Sequence, residues 1–320
     1  MTAGSRLTAR VDETSVPGVV SLIMPVWRPR RDWLLAAVEC ALAQTGCELE
    51  LIVVDDGCPE PVADLLGHVH DERMQIFRVD HAGVSHARNV GFAASRGAWI
   101  RYVDCDDVLE GDSTAHLLTL AGDDEVIAYG ATVLCDEDLR PGMKMASDLE
   151  GDVVLECLFD RFPVTLPALL FPRSVVERAG DWDAEIVVCQ DWDFILRALE
   201  VAPVRGDDRI VLHYRRHASG ASAGNSPESA RIADAGMWLV IERYFERHPE
   251  QRETSVEARA RAAVELVIAR RHRAAYVAHL GRAARGDPAR AAREVLGFAT
   301  TLARRLARRM VRRARGESAP

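Results

Sequence analysis

Four short apolar runs rich in β-branched residues, separated by stretches of helical periodicity, fill residues 19–107 and leave few folds open. VVSLIMPV (19–26) and ELELIVVDDG (48–57) read as buried strands, and MQIFRVD (74–80) and AWIRYVDCDD (98–107) as a third and a fourth strand. Between them, residues 32–45 put Leu34, Leu35, Val38, Ala41 and Leu42 on one helical face, with Asp32 positioned to cap, and 60–70 and 84–96 are further candidate helices. This alternation predicts an α/β fold, a doubly wound, mostly parallel sheet flanked by helices. Such sheets bind ligands at the carboxyl ends of their strands. Asp55 and Asp56 stand at one such end, and Asp104, Asp106 and Asp107 at another.

Beyond residue 108 the pattern loosens. Residues 125–135, 164–173 and 209–215 read as strands, 190–201 as a helix with an acidic first turn, and HASGASAGNSPES as a loop. From about residue 228 the chain reads as helical throughout. The expected organisation is a flexible lead-in over 1–18, a catalytic domain over 19–222 and a helical extension over 223–320.

Charge divides along the same lines. Residues 1–250 carry 23 basic and 43 acidic side chains, and residues 251–320 carry 17 and 6. An acidic body is unsuited to tracking a phosphate backbone, so nucleic acid is a poor partner. In 289–313, Val295, Phe298, Leu302, Leu306 and Met310 recur at helical spacing against Arg304, Arg305, Arg308, Arg309, Arg312 and Arg313. Such a helix suits either peripheral contact with an anionic membrane or packing on protein, including a second copy. Seven scattered cysteines without a CxxC pair indicate neither a disulfide framework nor a cysteine zinc site. No apolar run reaches the roughly 18 residues needed to span a bilayer, and the polar N-terminus lacks a signal-peptide core. The expected location is the cytoplasm, with the inner membrane face as a possible station.

The carboxylate clusters carry the chemistry. Three acids within DCDD repel one another unless a hard cation such as Mg²⁺ or Mn²⁺ is shared with phosphate oxygens; the plainer alternative is a solvated acidic turn. Asp55 or Asp56 could accept from a base or ribose, or simply close a turn with Gly57. In GVSHARNVGFAASRG (83–97), Arg88 has the fork geometry for a diphosphate, and Asn89 and Gly91 would let backbone approach a ligand. His213 and His217 have HxxxH spacing but lie on a strand entering a loop, with no HExxH, which disfavours a zinc hydrolase.

In order, SLIMPVWRP, ELIVVDDG, GVSHARNVGFAASRGAWIRYVDCDDVL, GDWDAEI, QDWDFILRAL and YRRHASGAS make the chain resemble the family 2 glycosyltransferases over roughly residues 19–222. The resemblance implies a GT-A fold and inverting transfer from a nucleotide-diphosphate sugar, a UDP-sugar first among donors, to a hydroxyl-bearing acceptor. It implies that Pro25 and Val26 help form the nucleotide pocket, that Asp55 or Asp56 contacts the base, and that Arg88 lies beside the nucleotide. Asp104 would contact ribose or metal-bound water, Asp106 would hold the metal directly, and His217 would complete the metal and diphosphate site. Asp191 matches the catalytic base. Taking the acceptor's proton needs a carboxylate separate from the metal cluster, although Asp191 could also serve merely as a helix cap. Trp182 and Trp192 could wall the sugar or belong to the core. Cys58 stands where the family usually has serine, and Gln190 where it usually has glutamate. The acceptor class stays open among envelope polysaccharide, lipid carrier and secondary metabolite. Two other readings are a non-catalytic nucleotide-sugar-binding scaffold and a sugar nucleotidyltransferase. The second should show a glycine-rich phosphate loop after the first strand, where this chain has MPVWRPRRDW.

Overall fold

The computed structural model describes residues 15–217, 227–271 and 276–293. Up to residue 121 the elements are β1 (Val16–Val26), α1 (Arg31–Leu42), β2 (Glu48–Asp55), α2 (Val62–Leu65), β3 (Met74–Arg78), α3 (Val84–Ala94), β4 (Gly97–Tyr102), β5 (Val108–Leu109) and α4 (Ser113–Ala121). There follow β6 (Ile127–Cys135), β7 (Pro141–Met145), α5 (Val154–Leu158), β8 (Leu169–Pro172), α6 (Arg173–Ala179), α7 (Gln190–Leu199) and β9 (Val204–Arg215). Three further helices are α8 (Pro227–Arg247), α9 (Ser255–Arg271) and α10 (Tyr276–Gly286).

One mixed sheet runs in the order β3-β2-β1-β4-β8-β6-β9-β5, with β7 paired to β6. The first four strands are parallel. Residues 20–26 of β1 are all buried, which is why this strand is a continuous apolar run and not an alternating one. In register, Val26 lies opposite Asp55, Asp55 opposite Arg78, and Ile23 opposite Tyr102. The loops after β1, β2, β3 and β4 therefore leave from one edge. β8 joins β4 antiparallel and β6 antiparallel, while β6 and β9 run parallel.

Arg101 ties the two halves of the sheet together. From β4 its fully buried guanidinium donates from Nε to Pro167 O, from Nη1 to Ser113 Oγ and Thr114 Oγ1, and from Nη2 to Val211 O. These acceptors are neutral, and burial pulls its pKa down to about 9.

Several expectations need adjustment. β1 begins at Val16, which pairs with Gly97, so the lead-in is shorter than expected; residues 1–14 lie outside the described residues. Asp32 does not cap α1: it is the helix's second residue, bonded to Arg30 across 2.7 Å. The helix expected over 60–70 contracts to α2. The strand expected over 164–173 contracts to β8, because residues 166–168, with Pro167, form a 3-10 turn. α4, α5, α6 and β7 carry no periodicity strong enough to announce them.

The described residues form two compact units that divide after Gly236. In the second, Ala262, Leu266 and Ala283 form a small core with Leu280 packed against it. The arginine-rich segment 289–313 lies, from residue 294 on, outside the described residues. No helix among the described residues is long and apolar enough to cross a membrane. All seven cysteines are free thiols.

Candidate active site

The carboxyl edge of the parallel strands gathers the acidic clusters. Asp55, at the end of β2, is buried and accepts from Cys58 N at 2.7 Å, Val62 N at 3.0 Å and Arg78 Nη1. Burial pushes its carboxyl upward, but the N–H groups of Val62 and Cys58 and the Arg78 guanidinium outweigh it and hold the group below the ordinary carboxylate range. Asp56 is also buried. Its Oδ1 accepts from Ala82 N at 2.9 Å, and its Oδ2 takes Gly83 N at 3.0 Å and stands 2.8 Å from His81 Nδ1. Both acids therefore organise their loops. Pro25 and Val26 are buried strand residues, and Asp56 N donates to Val26 O at 3.0 Å.

β4 ends at Tyr102, so DCDD forms a tight turn between β4 and β5. Asp104 Oδ1 receives Arg88 Nη2 at 3.1 Å. Asp106 Oδ2 lies 2.8 Å from His217 Nε2, bringing together residues 111 apart in sequence. Asp107 Oδ1 accepts from Arg215 N at 2.8 Å, and Arg215 Nε donates to Asp106 O at 2.8 Å. Trp33 packs edge-on against His217, with ring centroids 4.7 Å apart, and lies under the guanidinium carbons of Arg30 at 3.9 Å and Arg215 at 4.8 Å. Arg215 and Trp33 escaped the sequence reading. The signal available for Arg215 was its place in YRRH, two residues before His217.

The electrostatics reflect crowding. Burial, then Asp104 and Asp106, hold Asp107 well above the ordinary carboxylate range against the pull of Arg215. Burial also raises Asp104, opposed by Arg88 and reinforced by Asp106 and Asp191. Asp191 thus acts on the same turn electrostatically although it comes from α7. It is exposed in the first turn of that helix, where its Oδ1 accepts its neighbour's Trp192 N at 2.9 Å. The residue before Gln190, Cys189, has φ 70°, a left-handed conformation costly for a side chain with Cβ, and it starts α7 without a side-chain cap.

Trp192 is half-buried and donates from Nε1 to Cys157 O at 3.1 Å. Trp182 is a core residue, stacked on Phe194 at 4.2 Å, so it does not wall a sugar. Asn89 and Gly91 are not ligand-facing either. Asn89 exchanges hydrogen bonds with the Trp182 backbone at 2.8 and 3.1 Å. A Cβ on Gly91 would lie 2.4 Å from Ile23 Cγ2, so the glycine lets α3 sit close on β1 and thereby sets where Arg88 emerges. Arg88 itself is buried, its guanidinium 4.4 Å from the Trp182 ring centre. His213 pairs with Glu110 at 2.6 Å and does not join His217.

Among the described residues no three acidic, histidine or cysteine side chains converge as a ready metal cage. The donors at hand, Asp104, Asp106 and His217, nevertheless suit a cation shared with a ligand, since Mg²⁺ is commonly held by one or two carboxylates together with substrate phosphates. Burial first, and then the neighbouring carboxylates, raise Asp104 and Asp107, and a nearby cation would oppose both effects.

Residues 21–161 match the sequence model of glycosyl transferase family 2. An uncharacterized glycosyltransferase of Rickettsia bellii is 37% identical over 216 residues, which cover 63% of this chain and 31% of that protein. The succinoglycan biosynthesis protein ExoO of Rhizobium meliloti is 34% identical over 106 residues, 33% of this chain and 29% of that protein. The chain spans about a third of the length of the curated relatives it matches. Among solved structures, S. aureus TarS 1-349 superposes with a TM-score of 0.57 at 14% identity, covering 85% of this chain and 82% of that one. The same protein has also been solved in complex with UDP-GlcNAc, and that structure likewise superposes with a TM-score of 0.57. These likenesses establish the GT-A architecture.

Proposed function

We propose, from the match of residues 21–161 to glycosyl transferase family 2, that the chain moves a sugar from a nucleotide-diphosphate donor to a hydroxyl-bearing acceptor with inversion. The observation that carries this reading is the contact of His217 with Asp106, two residues from Asp104, a carboxylate that the charge of Asp191 also reaches. A UDP-sugar is the first donor to test, because TarS was solved with UDP-GlcNAc and with UDP.

A divalent cation, Mg²⁺ or Mn²⁺, held by Asp106 and His217 with Asp104 beside it, would neutralise charge building on the departing diphosphate. Arg88 orients Asp104. Arg215 fixes the turn that carries Asp106 and Asp107. Asp191, exposed and on a separate element, takes the acceptor hydroxyl's proton as its oxygen attacks the anomeric carbon. The half-buried face of Trp192 lies next in sequence and is suited to the sugar ring. The arginine-rich C-terminal segment is proposed to contact an anionic membrane or a second copy.

The test measures release of nucleoside diphosphate from a panel of UDP-sugars, with water or added polyol as acceptor. Asp191→Asn should cut turnover by about 10²-fold or more while nucleotide binding persists. Normal turnover in that variant refutes the base assignment.

A further inference from the structure

We infer that His81, and not the Asp55–Asp56 pair, is the side chain that reads the nucleobase, and that Asp56 is its positioning residue. The inference rests on the nucleotide-donor reading above. Trp27 follows β1 and is 37% exposed at the ligand edge of the sheet. His81 follows β3 and lies flat on it, with ring centroids 3.7 Å apart and planes 10° from parallel. Loops from two strands thus build an aromatic stack, and β2, which lies between those strands in the sheet, delivers Asp56 to the His81 edge of it.

The hydrogen bonds fix what that stack offers. Asp56 already receives Ala82 N and Gly83 N, and its Oδ2 stands 2.8 Å from His81 Nδ1. A carboxylate oxygen accepts here, so Nδ1 carries the proton of this contact, and in the neutral ring Nε2 is the acceptor. The imidazole remains 49% exposed, so a ligand can reach the ring that Asp56 orients. Gly57 holds the arrangement tight: it has φ 75°, and a Cβ there would come within 2.7 Å of His81 N. Asp56 is buried and saturated by its own chain, whereas the imidazole it orients is both planar and reachable.

An acceptor at the edge of an aromatic stack matches a base that presents an N–H there. The imide N–H of uracil or thymine fits; cytosine, which carries a lone pair at the same ring position, does not. His81 therefore favours uridine or thymidine diphosphate over cytidine diphosphate.

The experiment compares binding of UDP, dTDP and CDP in the presence of Mn²⁺ by calorimetry, for the intact chain and for His81→Phe and His81→Ala, with thermal midpoints to verify folding. The wild type should prefer UDP to CDP by about tenfold, the scale of one unmatched polar contact. His81→Phe keeps a ring on Trp27 and should abolish that preference while retaining appreciable affinity for both nucleotides. His81→Ala should lose the preference and weaken both. A folded His81→Phe that still prefers UDP overturns the assignment, as does a wild type that binds UDP and CDP equally. A wild type that binds no nucleoside diphosphate at all overturns the donor reading, and this assignment with it.

Discussion

At the residue scale, the acids of the carboxyl edge fall into two kinds. Asp55 and Asp56 are buried and bonded to backbone N–H groups of the loops that follow them. Asp191 is exposed, and Asp106 meets a histidine. Replacing the first kind should cost stability. Asp55→Ala leaves the Cys58 and Val62 N–H groups without their acceptor and should lower unfolding free energy by about 2–4 kcal/mol in urea titration. The pH dependence follows from the depressed carboxyl of Asp55. Its contribution is complete above the unfolded value of about 4 and is lost as pH falls through the lower folded value. Asp55→Asn should therefore be less stable than wild type at pH 7, with the gap narrowing below pH 4; a gap that is constant with pH would contradict the linkage.

At the element scale, α3 and β4 set the site's geometry. Gly91→Ala forces a methyl into Ile23 and should destabilise by about 1–3 kcal/mol while displacing Arg88 from Asp104. Nucleotide affinity should fall more than stability alone explains, and a folded variant with unchanged affinity would separate α3 packing from the site. Arg101→Ala strands the acceptors Pro167 O, Ser113 Oγ, Thr114 Oγ1 and Val211 O around a cavity, and should cost about 3 kcal/mol or more by calorimetric melting. β1 and β2 were legible in the sequence because strands buried on both faces are continuous apolar runs. Two-residue β5 and exposed β7 were not, since neither needs a distinctive pattern to pair with a longer neighbour. Asn89 and Gly91 drew a ligand reading because polar and small residues near a site look alike whether they serve packing or recognition. Periodicity is silent on the tertiary partner, here the Trp182 backbone and Ile23.

For the whole molecule, one sheet brings distant segments to one edge. The sequence pointed to that edge through Asp55 and Asp104, both at strand ends. It named His217 and Asp191 only through family resemblance, since contacts 111 residues apart leave no local trace. The Trp27–His81 stack went unseen for the same reason: a lone tryptophan and a lone histidine become a surface only when β1 and β3 are assembled around β2. The most direct test of the central claim is the thermal midpoint of wild type and Asp106→Asn with UDP, Mn²⁺, both or neither. Wild type should rise with both ligands far more than with either alone, by the equivalent of about 2.7 kcal/mol at a hundredfold excess over Kd. Asp106→Asn should lose that joint increment while melting normally without ligand. An equal joint increment in the variant, or a UDP effect in wild type that ignores Mn²⁺, would contradict the account.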